Sequence, residues 1–293
     1  MQRVKTNLAL QKLGFSAKDR VVIIHADDIG MCQATLSAFE DLMETGLVSS
    51  GSAMVPCPWF PMVAAWRRKH SSIDLGIHLT LTSEWDNYRW GPVSTCDPSS
   101  GLLDEEGYFH RRRETVSERA DAKAVCAEMK AQIDRACAAG MEPTHLDFHM
   151  YAGLESRFMP AYAQLAFDSG LPAFIWREGW KLWDAETDGL IDKWEQEGLP
   201  VFDHRVTMRS NGNPQDRIAL AKKAFDEIPA GLTCFLFHPC RDAPELRAFA
   251  PDRPYRVADY EAFMSKELRD HARDSGIQLI DYRKLREVGP SAR

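Results

Sequence analysis

The sequence predicts an α/β protein folded as a distorted, TIM-barrel-like (β/α) barrel with long strand-to-helix loops. Three observations carry this. Apolar segments of strand length alternate with segments of helical period along nearly the whole chain. No linker or shift of composition interrupts the alternation, so residues 1–293 read as a single domain. Acidic residues and histidines fall where the strands end, and α/β folds keep their chemistry at that end. A doubly wound open sheet is the alternative topology, although no Gly-x-Gly-x-x-Gly or P-loop is present to favour nucleotide binding.

Each element has a local reason. Residues 1–20 hold a short amphipathic piece (Leu8, Leu10, Leu13) that reads as a lead-in helix. Val21-Val22-Ile23-Ile24 is a β-branched run buried on both faces of a sheet, followed at once by Asp27 and Asp28. A helix from Cys32 to Met43 stops at Gly46. Strands follow at 47–55 and 73–81, separated by a short helix at 62–68. Residues 82–113 break the pattern with Pro, Gly, Ser and aromatics, and a loop of that length in a compact domain is a candidate substrate wall. Its Trp85 and Trp90 read either as sugar-stacking residues or as a hydrophobic cluster beneath the loop. A helix is predicted over 116–139, with Cys126, Met129, Ile133 and Cys137 on one buried stripe. Strands at 143–148, 173–176, 201–206, 232–237 and 277–280 complete the set, with helices at 154–169, 214–227 and 257–274 and a helical excursion over 178–200.

Composition narrows the function. With 44% hydrophobic and 27% charged residues, a packed core is expected. A net charge of -7 argues against a nucleic-acid partner. No run of eighteen apolar residues predicts a membrane span. Seven scattered cysteines without Cys-x-x-Cys, and an N-terminus without a signal core, predict reduced thiols in a cytoplasmic protein. Oligomeric state is open, a homo-oligomer included.

The predicted strand ends carry Asp27, Asp28, His78, His149, Arg177 and His238. In a parallel barrel all would face one mouth. Two adjacent carboxylates repel unless a cation or proton intervenes, and one carboxylate with two imidazoles is a reasonable set for a catalytic divalent ion. Imidazole favours zinc; magnesium is the second choice. His145 lies four residues before His149 on the same strand face, hence deeper, and His25 also reads as a core or supporting residue.

Five stretches, in order, resemble the YdjC-like (ChbG-like) carbohydrate deacetylases: Ala26-Asp27-Asp28-Ile29-Gly30, Gly76-Ile77-His78-Leu79-Thr80-Leu81-Thr82, residues 102–109, Pro143-Thr144-His145-Leu146-Asp147-Phe148-His149, and His238-Pro239. The resemblance implies a distorted barrel that removes N-acetyl groups from an amino sugar or oligosaccharide with a divalent metal, zinc or magnesium. It implies Asp28, His78 and His149 as ligands, Asp27 as the base that deprotonates a metal-bound water, and His238 as the acid for the departing amine. Arg177 resembles an arginine that the family places near the site, where it would orient Asp27. Tyr151 and Gly153 stand where the family usually continues its histidine run, Cys240 where His-Pro-Gly is frequent, and His25 where Asn is common. Sugar contacts are expected at Tyr151, Trp85 and Trp90. Two further readings stay open here: a metal-dependent hydrolase of another amide or ester, and a catalytically silent carbohydrate-binding barrel.

Overall fold

The computed structural model describes residues 7–177, 185–208 and 211–291. The chain runs α1 (Leu8–Lys12), β1 (Arg20–Ile29), α2 (Gln33–Glu44), β2 (Ser50–Ala53), α3 (Phe60–Lys69), β3 (Leu75–Leu79), α4 (Arg113–Arg119), α5 (Ala122–Ala138), β4 (Leu146–Phe148) and α6 (Met159–Ser169). It continues α7 (Ala185–Gln196), β5 (His204–Thr207), α8 (Arg217–Glu227), β6 (Gly231–Phe237), α9 (Pro244–Phe249), α10 (Arg253–Met264), α11 (Lys266–Asp274), β7 (Gln278–Leu279) and α12 (Tyr282–Arg286).

All the strand pairings among the named strands are parallel, in the order β4-β3-β2-β1-β6-β5. Residues 172–177 bridge the remaining gap. Leu146 N donates to Pro172 O and Phe174 N to Leu146 O, while Phe202 N donates to Ile175 O and Arg177 N to Phe202 O. The ring of staves thereby returns from β4 to the chain leading into β5, a distorted barrel with one irregular stave. β7 pairs with Val21 and Val22, in the space left because β2 joins β1 only from His25 onward. Val21 to Ile24 are each 0% exposed, as a stave packed on both faces requires.

Four helical expectations are revised. The helix predicted over 116–139 is two, because Asp121 caps a new start by accepting from Lys123 N and Ala124 N. Its buried stripe is Val125, Met129, Ile133 and Ala136, joined by buried Glu128 and Gln132; Cys126 is half-buried and Cys137 exposed. The polar pair displaced the expected stripe: Glu128 accepts from Val93 N and Ser94 N, and Gln132 bonds both Thr80 N and Thr80 O, so both tie the 82–113 loop and its root to the barrel. The 257–274 helix likewise divides at Ser265, whose hydroxyl accepts from Leu268 N. The lead-in helix is confined to Leu8–Lys12, with residues 1–6 outside the described residues, and the 178–200 excursion is helical over Ala185–Gln196, with 178–184 outside them.

Under the mouth, the backbone at Gly76 lies too close to a neighbouring ring to carry a side chain. A Cβ on Gly76 would lie 2.5 Å from the His145 ring, which is itself stacked on Tyr282 at 3.6 Å. Gly76→Ala is expected to lower stability by about 1–3 kcal/mol, read as a lower urea midpoint with unchanged slope.

Candidate metal centre

The site begins with an irregularity in β1. Ala26 pairs with Gly51 but Ile29 with Ala53, so three steps on β1 face two on β2. This is a bulge, and Asp28 adopts φ +65° within it. In a regular strand adjacent side chains point to opposite faces. The bulge instead brings both Asp27 and Asp28 into contact with histidines from other staves, at a backbone cost of about 1–3 kcal/mol.

Asp28 Oδ1 is the hub. His78 Nε2, from β3, lies 3.3 Å away, and His149 Nδ1, just past β4, lies 3.1 Å away. The three donor atoms all lie within 4.8 Å of one another and all three residues are buried. Ligand–ligand separations around a small divalent ion with bonds near 2.1 Å run from about 3.0 to 3.4 Å, so these two contacts fit a shared ion. The far side of each imidazole fits as well. His78 Nδ1 lies 2.9 Å from Asp147 Oδ1, and His149 Nε2 lies 2.9 Å from Glu84 Oε2. With a carboxylate as partner, each of these nitrogens keeps a proton, so that loss of the proton on the other nitrogen leaves its lone pair directed at the Asp28 side. Such carboxylate–histidine pairs are the usual support of metal-binding imidazoles. Ser52 reinforces one of them, donating to Asp147 Oδ2 at 2.8 Å.

Among the described residues two other donor sets form, His25/His145/Asp147 and Asp27/His78/Asp147. The first is consumed by mutual hydrogen bonds, His25 Nε2 lying 3.1 Å from both Asp147 Oδ2 and His145 Nε2, and in the second His78 Nδ1 already serves Asp147. Burial pulls His25 down to about 3, against Asp147, so it is neutral in this network.

Charge at the hub is lopsided. Burial works against ionising Asp28, but Arg256, at 2.7 Å, and His149 outweigh it and hold the carboxyl well below its ordinary range. Burial likewise opposes charge on the histidines, yet Asp147 and Asp28 push His78 well up, and Glu84 and Asp28 push His149 up to about 9. Burial drives Asp27 in the opposite direction, well above the usual carboxylate range, with Asp147 and Asp28 adding to it.

The remaining predicted residues are placed as follows. Asp27 Oδ2 faces His238 Nε2 at 3.5 Å, at the end of β6. Asp27 Oδ1 is buried without a hydrogen-bond partner. The His238 side chain is 29% exposed, and its partial burial, with Arg256 and His78 nearby, lowers its affinity for a proton. Arg177 ends the irregular stave, where its ion-pair partners among the described residues are Asp192, Glu195 and Asp203, not Asp27. Tyr151 is half-buried with φ +57°, tilted on Trp176 at 5.7 Å and capped by the Arg205 guanidinium at 4.9 Å. Trp85 and Trp90 are 7% and 3% exposed. Trp90 meets His149 edge-on at 6.1 Å, and Trp85 lies against Phe249 and under Arg256.

Sequence reasoning passed over Asp147, Glu84, Ser52 and Arg256. Asp147 had a signal, since it lies two residues from both His145 and His149 and so shares their strand face. Arg256 had none, being a helix residue more than two hundred positions from Asp28.

The comparisons follow this geometry. The model of a family described as YdjC-like protein matches residues 21–274. A carbohydrate deacetylase of Thermus thermophilus is 33% identical over 273 residues, covering 89% of this chain and 92% of that protein. One of Geobacillus stearothermophilus is 30% identical over 270 residues, covering 91% and 98%. A crystal structure from Enterococcus faecalis, described as a candidate cellobiose-phosphate cleavage protein, superposes with TM-score 0.75 at 22% identity, covering 91% of this chain and 99% of that one. That likeness concerns the fold.

Metal uptake must expel the protons that the carboxylates hold on His78 and His149. Apparent affinity for zinc or cobalt is therefore expected to rise from pH 6 to pH 8, by about tenfold or more per pH unit, with the His149 share of the rise ending near pH 9. Calorimetric titration in buffers of different ionisation enthalpy would count the released protons.

Proposed function

From the premise that this chain belongs to the YdjC-like protein family, we propose that it is a metal-dependent hydrolase that removes N-acetyl groups from an amino sugar or oligosaccharide. The observation that carries the reading is one mouth holding both a fitted donor set, Asp28, His78 and His149, and a facing carboxylate–imidazole pair, Asp27 and His238. The name shared by the two relatives, carbohydrate deacetylase, supplies the bond and substrate class.

Asp28, His78 and His149 hold the ion, with zinc favoured by the two imidazoles and magnesium second. When bound, the ion polarises the acetamide carbonyl and makes a nearby water acidic. Asp27 takes the proton from the attacking water as the water oxygen bonds to the acetamide carbon. Its Oδ1 accepts no hydrogen bond among the described residues, with His25 Nδ1 3.6 Å away, and burial strengthens its hold on a proton. His238 protonates the nitrogen as the carbon–nitrogen bond breaks, because an amine is too basic to leave as an anion. The 3.5 Å gap between His238 and Asp27 gives the abstracted proton a short route to the leaving group. Arg177, held by Glu195 and Asp203, contributes by keeping the irregular stave beside β5. The sugar rests against Tyr151 and the open edge of Trp85, which borders a cleft of about 410 Å³ also lined by Glu84, Asn87 and Phe249. Trp90 backs His149 and shapes this wall from behind.

The test is acetate release by metal-reconstituted protein from a panel of N-acetylated oligosaccharides beside O-acetyl esters. Turnover of esters alone would replace the amide reading with an esterase. Asp27→Asn is expected to take up metal as the wild type does while kcat falls by about 10²–10⁴. His238→Ala is expected to lose a similar factor on amides and much less on an activated ester, whose leaving group needs no proton; equal losses on both would overturn its role as acid.

A further inference from the structure

Asp28 offers the hub only one of its oxygens. Its Oδ2 accepts from Arg256 Nη1 at 2.7 Å, and Arg256 Nε donates to Asp252 Oδ2 at 2.7 Å. The guanidinium is 6% exposed, lies 5.5 Å from the Trp85 ring centroid, and comes from α10, an element that supplies no donor atom. Asp252 precedes the first turn of α10, so Arg256 is braced by its own helix before it reaches Asp28.

We propose that Arg256 is a positioning residue that holds Asp28 as a single-oxygen ligand and thereby selects small divalent ions over calcium. The inference rests on the reading that Asp28, His78 and His149 hold the ion. A carboxylate oxygen locked in a charge-assisted, buried hydrogen bond is withdrawn from coordination. Calcium takes six to eight oxygens, often with two from one carboxylate, whereas zinc is satisfied by four single donors. Charge alone predicts the reverse of a benefit, because a buried guanidinium beside a cation site repels the cation. Geometry and charge therefore make opposite predictions for loss of Arg256.

The experiment titrates zinc and cobalt(II), and separately calcium, into metal-stripped wild type, Arg256→Lys, Arg256→Met and Asp252→Asn, with a competing chelator and with circular dichroism to establish folding. Arg256→Lys, which keeps the charge and loses the fork, is expected to weaken zinc binding by about 10–100-fold. Arg256→Met is expected to weaken it too, although the repelling charge is gone. Both should narrow the preference for zinc over calcium, and the cobalt(II) visible band should weaken as the coordination number rises. Asp252→Asn removes only the brace and is expected to shift all three readouts in the same direction by less. Zinc binding unchanged in folded Arg256→Lys and Asp252→Asn, or tighter in Arg256→Met, would overturn the proposal. Wild-type protein that takes up no ion overturns the donor-set reading and this inference with it, whereas wild-type uptake with unchanged variants overturns this inference alone.

Discussion

The structure is governed by an excess of buried negative charge. Asp27, Asp28 and Asp147 are nearly inaccessible, Glu84 joins them through His149, and Arg256 is the one guanidinium that reaches Asp28 among the described residues. Two like charges about 4 Å apart at an effective dielectric near 20 repel by about 4 kcal/mol, so several such pairs amount to a large part of a domain's net stability. Without a cation the imbalance is met by protons, on His78, His149 and Asp27. A divalent ion answers the same imbalance while freeing those protons. Folding, metal affinity and acid–base readiness are in that sense one electrostatic problem.

The backbone is bent to serve it. The bulge in β1 and the positive φ of Asp28 lie within a buried strand, where strain is tolerable because β2 and β6 grip both edges. Behind the mouth, His25, His145 and Asp147 form a buried, hydrogen-bonded layer, with the Tyr282 ring stacked on His145. That layer fixes Asp147, and Asp147 fixes the His78 ring. An imidazole held this way has its ring oriented before any ligand arrives.

Much of this was legible in the chain. The run from Val21 to Gly30 announces both the buried stave and the acidic pair, and the spacing of His145 and His149 tells which is deep and which is at the rim. The site was legible wherever a residue sits at a strand end, because the parallel barrel itself converts that position into a shared mouth. Legibility failed where a side chain arrives from a helix or loop. Glu84 and Arg256 are ordinary charged residues in sequence, and only tertiary packing reveals that each addresses a single atom. It failed again on α5, where Glu128 and Gln132 are buried because they anchor loop backbone, against the rule that polar positions face water.

Packing also accounts for one place where the chain departs from the family pattern it resembles. Gly153 stands where a histidine is usual, and a Cβ there would lie 1.9 Å from the Phe148 ring, which is 3% exposed and packs on Tyr162. The turn reaching Gly153 runs through two consecutive left-handed residues, Met150 and Tyr151, which carry the Tyr151 side chain between Trp176 and Arg205. A side chain at 153 and the present Phe148 are therefore mutually exclusive. Tyr151 and Gly153, at the two positions where the resemblance implies histidines, are thus packed together against aromatic rings, apart from His149, whose ring is fixed by Asp28 and Glu84. The candidate donor set and the aromatic wall are in this way held by different contacts.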